Sequence, residues 1–270
     1  MASTVVQVTI TNQSPTGGVY ITPLWAGFHD GSFDSYNGGL SSQPGVERVA
    51  EDGDVSQISS DFLGGYTYID NTGASATVLS SQSGADRVDG AIANGAPIAP
   101  GEVASSTFNV DVSGANRYFS YASMILPSSD YWIGNGSPTA HDLSSLAGAA
   151  AGTSISFDIG LPGEVNDAGT EVNDFATSPG NPLFGIPAGQ SAPDQGVDEN
   201  GVNVNVLTPY SDFLNTPDNF LSDLSELKFN NSALYPNGVA NVTITVVPEP
   251  ASASLLVFAL PLLGLLRRRR

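Results

Sequence analysis

Carboxylates supply most of the chemistry this chain can offer. Asp130 stands in "SMILPSSDYWIGNG" (123–136), where an apolar run ends in Pro-Ser-Ser and two aromatic residues follow the acid at once. Three further clusters are acid-rich: "HDGSFD" (29–34), "EDGD" (51–54) and "DAGTEVND" (167–174). Side chains of this kind, set in Gly- and Ser-rich turns, suit a hard divalent cation; calcium takes about six to eight oxygens from carboxylates, carbonyls and water. None of the clusters shows the twelve-residue spacing of an EF-hand loop. A single aspartate in such a turn is, on its own, a turn cap.

Other chemistries have less to work with. The chain has no cysteine, which closes off disulfides and thiolate chemistry, and its two histidines are His29 and His141. His141 is followed by Asp142 in "TAHDL", but no Ser-His-Asp order and no phosphate-cradling glycine loop stands out. Acids are numerous enough to furnish a glycosidase pair, yet no spacing selects one. The chain is therefore not expected to be an enzyme. Trp25, Phe28, Tyr131 and Trp132 are a candidate platform for sugar rings, with Trp132 the best placed; residues of this kind are more often core.

The elements that must position these residues are strands. "TVVQVTITN" (4–12), "STFNVDVSG" (106–114), "TSISFDIG" (153–160) and "ANVTITVVP" (240–248) alternate with period two, and "RYFSYASMILPSSD" reads as a long strand running into a turn. Phe108, Val110 and Val112 share one face. The first and last strands carry similar alternation, as neighbours would. "VERVAEDGDVSQISSDF" (46–62) reads as helix broken at Asp52-Gly53, and 181–208 as a long Gly/Pro/Asn-rich loop. The pattern predicts an all-β fold, an antiparallel β-sandwich, over residues 1–246.

Charge restricts the partners. Of eight basic residues, four are Arg267–Arg270, leaving four against 27 acids in the rest of the chain. Such a body repels nucleic acid and anionic lipid, so no nucleic-acid partner is expected. The tail is of another kind. "VPEP" leads into the 16-residue apolar segment Ala251–Leu266 and then "RRRR". That reads as a C-terminal hydrophobic helix, slightly short against the usual span of about 20 residues, with the arginines on the cytoplasmic side.

The tail, residues 247–270, resembles the PEP-CTERM sorting signal in its Pro-Glu-Pro, apolar helix and basic end. The resemblance implies export, anchoring in the membrane through the helix before processing, and cleavage by an exosortase-type protease in an exopolysaccharide-producing bacterium. "MASTVVQVTITNQ" has neither a basic nor an apolar leader. Export is therefore expected to depend on a start upstream of Met1.

The body resembles the spondin domain, the N-terminal module of F-spondin and mindin. "WAGFHDGSFDSYNGG", "VERVAEDGDVS", "FSYASMILPSSDYWIGN" and "DAGTE" carry the likeness, in that order, and it covers roughly residues 5 to 246. The resemblance implies a β-sandwich that binds one calcium ion and serves in matrix adhesion. Carried over position by position, it implies calcium ligands at Asp111, Asp130 and Asp167, with aspartate at 111 where animal members have glutamate. It departs from the family after "DAGT", where "EVNDF" replaces Asp-Ser-Gly; Glu171 and Asp174 are expected to flank the site, and "EDGD" its rim. The function this implies is a calcium-binding adhesion or matrix-interaction module at the cell envelope, with exopolysaccharide or a surface protein as partner. The alternatives are a polysaccharide-acting enzyme and a structural surface component without a discrete ligand.

Overall fold

The computed structural model describes residues 3–64, 67–69, 75–77, 84–95, 97–173, 196–206 and 231–248. The expected C-terminal helix lies outside them. Among the described residues no helix is long and apolar enough to cross a membrane.

The fold is an antiparallel β-sandwich. Its smaller sheet holds β1 (Thr4–Asn12), β7 (Val103–Val110), β11 (Ser154–Ile159) and β14 (Ala240–Val246) in the order β11-β14-β1-β7. The first and last of these strands do lie side by side, with Val6 opposite Val246 and Asn12 opposite Ala240. Period-two alternation works here as it reads. Val6, Val8 and Ile10 of β1 and Val242 and Ile244 of β14 are fully buried, while the residues between them are partly exposed. Phe108, Val110 and Val112 all face the same core, as their spacing predicts. Each such aliphatic side chain contributes about 1.5–3 kcal/mol of burial free energy.

The larger sheet holds β3 (Leu24–His29), β6 (Val88–Ile92), β8 (Tyr118–Leu126), β9 (Tyr131–Gly134), β12 (Val165–Asp167) and β13 (Val204–Asn205), ordered β13-β12-β9-β8-β3-β6. Two short strands, β2 (Tyr20–Ile21) and β10 (His141–Asp142), pair with opposite ends of β8. A separate hairpin joins β4 (Thr67–Ile69) to β5 (Ser75–Thr77). Strands β3 and β8 are buried on both faces, apart from the half-buried Tyr118 that opens β8. Their near-continuous apolar sequence follows from that, because a sheet covered on both sides has no solvent face to signal.

The second cover is helical. α1 (Pro44–Asp52) and α2 (Ser56–Gly64) are separated at Gly53, whose left-handed φ of 65° ends α1. That is the break expected at Asp52-Gly53. The helices lay Val46, Val49, Ala50, Ile58 and Phe62 over Trp25, Ala122 and Trp132, making a second apolar cluster on the outer face of the larger sheet. Part of the stretch read as a long loop is also ordered as strand: β13 pairs with β12 through Asn205 opposite Asn166 and Val204 opposite Asp167.

Candidate cation site at the Asp130 turn

The turn between β8 and β9 is closed by its serines. The Ser128 hydroxyl donates to the Ile125 carbonyl (2.6 Å) and accepts from the Tyr131 amide (3.0 Å). The Leu126–Pro127 bond is cis. Asp130, the residue before β9, is fully buried.

One Asp130 oxygen is well satisfied. Oδ2 accepts from the amides of Thr170 (2.9 Å) and Glu171 (3.2 Å), with the Thr170 hydroxyl at 3.4 Å. Gly169 aims those amides. Its φ is 66°, and an added Cβ would stand 2.6 Å from the Val202 amide nitrogen, so the turn accepts no side chain there. The other oxygen, Oδ1, is buried without a hydrogen-bond partner. A buried carboxylate oxygen without a donor is costly. Burial pushes the Asp130 carboxyl up to about 7, reinforced by the Asp167 charge and, more weakly, by Glu199, against the two amide bonds that favour the anion.

Asp167 lies beside it. β12 pairs with β9 so that Asp167 faces Tyr131, and the Asp130 carbonyl accepts from the Ala168 amide (3.2 Å). The Asp167 carboxylate accepts from the Gly169 amide through Oδ1 (2.8 Å) and from Asn173 through Oδ2 (2.8 Å). Segment 197–201 runs along this loop, bonding Glu199 N to Thr170 O (2.7 Å) and Gly201 N to Gly169 O (2.8 Å). Glu171 is buried in the same wall. Asp174 lies outside the described residues. The sequence reading found Asp130, Asp167 and Glu171 but missed the Thr170 amide and Glu199; no local pattern marks a residue that arrives from a loop 32 positions away.

Asp111 does not join them. It follows β7 and enters the turn that leads into the start of β8, whereas Asp130 follows the end of β8. The length of β8 separates the two, roughly 26 Å at about 3.3 Å per residue. Asp111 instead closes its own turn. Its carboxylate accepts from the Ser113 hydroxyl (2.7 Å) and amide (3.2 Å), and its amide donates to Asn116 Oδ1 (2.9 Å). The hydroxyl bond from Ser113 holds its carboxyl below the ordinary value. Of the three ligand positions that the resemblance implies, Asp111 thus lies at the opposite end of β8 from Asp130. Among the described residues no three His, Asp or Glu side chains gather as a metal cluster.

The aromatic platform is corrected as well. Trp25 and Trp132 are fully buried under the helices: Trp25 packs on Phe33 (5.7 Å) and Phe62 (5.1 Å), Trp132 on Tyr36 (4.8 Å). Phe28 packs on Phe108 and Phe119 in the main core. Tyr131 is 6% exposed. The helical layer covers Trp25 and Trp132, on a face that sequence alternation alone leaves open, while Phe28 and Tyr131 are buried in the core between the sheets. Of the two remaining acidic clusters, "HDGSFD" leaves β3 in a bend and "EDGD" is the end of α1 with the turn into α2. Asp54 caps α2 through the Ser56 amide (2.8 Å), Asp52 pairs with Arg48, and Asp30 accepts from the Ser32 amide (3.0 Å).

His29 is not poised for general base chemistry on the hydroxyl beside it. His29 is fully buried; its Nδ1 accepts from the Gly31 amide (3.0 Å), which places the remaining proton on Nε2, 2.9 Å from Ser120 Oγ. A ring that donates to the serine does not deprotonate it. Burial lowers its pKa to about 4. Comparison with protein-family models and with curated proteins finds no match.

Proposed function

We propose that this protein is a calcium-binding, spondin-type adhesion or matrix-interaction module. In this reading it is exported to the bacterial cell envelope and non-catalytic. The observation that carries the metal half is the fully buried Asp130, one oxygen held by two amides and the other without a partner, beside the charged Asp167. That donor set fits a hard cation: two carboxylates are available, one of them with a buried lone pair aimed at no protein donor. Asp130 and Asp167 are the residues that would hold calcium, with Glu199 adding negative charge nearby; Asp111, at the other end of β8, takes no part in this reading. The cation would supply charge balance for the buried acid and cross-link the β8–β9 turn to the 167–171 loop. The spondin-like segments support the adhesion half. The Pro-Glu-Pro, apolar and arginine tail supports export, membrane anchoring before processing by an exosortase-type protease, and an exopolysaccharide or surface-protein partner.

Calcium titration of the full chain tests this. At a concentration about 100-fold above Kd, linkage adds about 2.7 kcal/mol, which raises Tm by roughly 5–10 °C for a domain of this size. Asp130→Asn is expected to abolish the shift, and magnesium to give less of it. An unchanged Tm and no binding heat with the parent protein would sink the calcium reading.

A further inference from the structure

A second site lies away from the Asp130 turn. A cleft of about 300 Å³ is lined by Tyr121 of β8 and His141 of β10 from the larger sheet, Asp158 of β11 from the smaller sheet, and Tyr36, Glu164 and Asn205. His141 is stacked on Phe157, ring centroids 3.9 Å apart and planes 15° from parallel, so its orientation is set by packing. Asn135 holds the floor: its Oδ1 accepts from the Tyr121 amide (3.0 Å) and its Nδ2 donates to Ser120 Oγ (3.0 Å) and the Ser137 carbonyl (2.9 Å). Among the described residues no hydrogen bond engages the Tyr121 hydroxyl or the His141 ring nitrogens. Burial keeps His141 neutral down to about 4, and raises Tyr121 so that it stays a phenol.

The chemistry of the lining selects a ligand class. Tyr121 and neutral His141 each present both donor and acceptor capacity, and Asp158 and Glu164 add acceptors. An inorganic or organic anion meets two carboxylates and is repelled. A simple cation leaves the donors unused. A ligand that donates and accepts around its edge, with an apolar face for the aromatic walls, uses all of them, and that describes a pyranose ring. The volume is at the low end for ligand sites, which suits one ring and not an oligosaccharide.

We propose that this cleft binds a single neutral hexose unit of a polysaccharide. This deepens the adhesion reading and rests on it, while the binding residues are separate from the calcium site. The test is saturation-transfer NMR and calorimetry on the full chain with three probes, methyl α-D-glucopyranoside, methyl α-D-mannopyranoside and methyl β-D-galactopyranoside. D-glucosamine and D-glucuronate serve as charged counterparts. For a ligand of about a dozen heavy atoms, Kd on the order of 1–10 mM is expected for at least one neutral glycoside. Tyr121→Phe is expected to weaken binding about fivefold to tenfold by removing one hydroxyl. Glu164→Gln, on the exposed rim where folding is not at stake, is expected to relieve the discrimination against glucuronate. Asp130→Asn is expected to leave the hexose affinity unchanged, and calcium-dependent melting recorded on the same samples keeps failure of the two readings apart. The proposal is overturned by no neutral glycoside binding at about ten times that Kd, by glucosamine binding more tightly than every neutral probe, or by Tyr121→Phe binding as the parent does.

Discussion

Asp111 and Asp130 flank the same strand. Both follow a run of β structure, both sit in turns with serine, and both carboxylates accept main-chain amides, Asp111 from Ser113 of its own turn and Asp130 from Thr170 and Glu171 of the 167–171 loop. Their physical states are opposite. Asp111 is half-buried, bonded by Ser113 and held below its ordinary pKa; Asp130 is sealed, has one oxygen without a donor and is pushed up to about 7. The difference is what covers each end of β8. Beside Asp111 the chain makes one tight turn and returns. Over Asp130 lie the 167–171 loop and the 197–201 segment, two layers brought from far along the chain. An aspartate in a turn is a cap when its environment is wet, and a strained charge in need of a counterion when the turn is roofed.

That contrast can be broken experimentally, most strongly at Asp130 itself. In chelator at pH 8, Asp130→Asn is expected to gain stability on the order of 3 kcal/mol, because the buried charge is gone while Oδ1 of asparagine still accepts from the two amides. Chemical denaturation of the metal-free protein reads this directly, and a loss of stability there would mean that the carboxylate is satisfied by something else. The pH dependence is the next measure. The Asp130 carboxyl has a folded pKa near 7, above its unfolded value, so its stabilising contribution is complete below about pH 4 and is lost as pH rises to about 7. His29 and His141, both lowered to about 4, act in the other direction: stability is lost as pH falls from about 6.5 toward 4. The gap between parent and Asp130→Asn isolates the carboxylate, and it is expected to close by pH 4; a gap constant with pH would refute the raised pKa. Asp167→Asn is expected to give a smaller metal-free gain of about 1 kcal/mol by lowering the Asp130 pKa, visible as a shift in the same pH profile. Asp111→Ala is expected to matter least, within about 1 kcal/mol by the same denaturation measurement, with no change in calcium response. A calcium response lost in Asp111→Ala but kept in Asp130→Asn would reverse the comparison.

Much of the sandwich was legible because one face of the smaller sheet is wet. Alternation in β1, β7 and β14 is the direct imprint of a core on one side and water on the other, and it predicted the buried sets correctly. The larger sheet was harder. The strand residues of β3 and β8 are apolar apart from His29, Ser120 and Ser123, since helices cover the second face, so their aromatics, read as core more often than as a surface platform, had no alternation to assign them to a face. Trp25 and Trp132 were decided by α1 and α2 packing onto them. For the site, Asp130 and Asp167 were legible as acids near turn motifs, while the distance of Asp111 from them was not. Sequence separation counts residues, and a straight strand between two turns converts a modest count into the full height of the domain.

The amino-acid sequence by itself determined the all-β class, the alternating faces of the smaller sheet, the break between the two helices and the acidic character of the body. Each follows from a local rule: side-chain period, glycine at a turn, charge count. Only the tertiary structure decided which aspartate is buried, which oxygen lacks a donor, that the tryptophans are core, and that Tyr121, His141, Asp158 and Glu164 line one cleft. Those are properties of what lies on the far side of a residue. Residues separated by tens of positions supply that far side, so no window of sequence contains it.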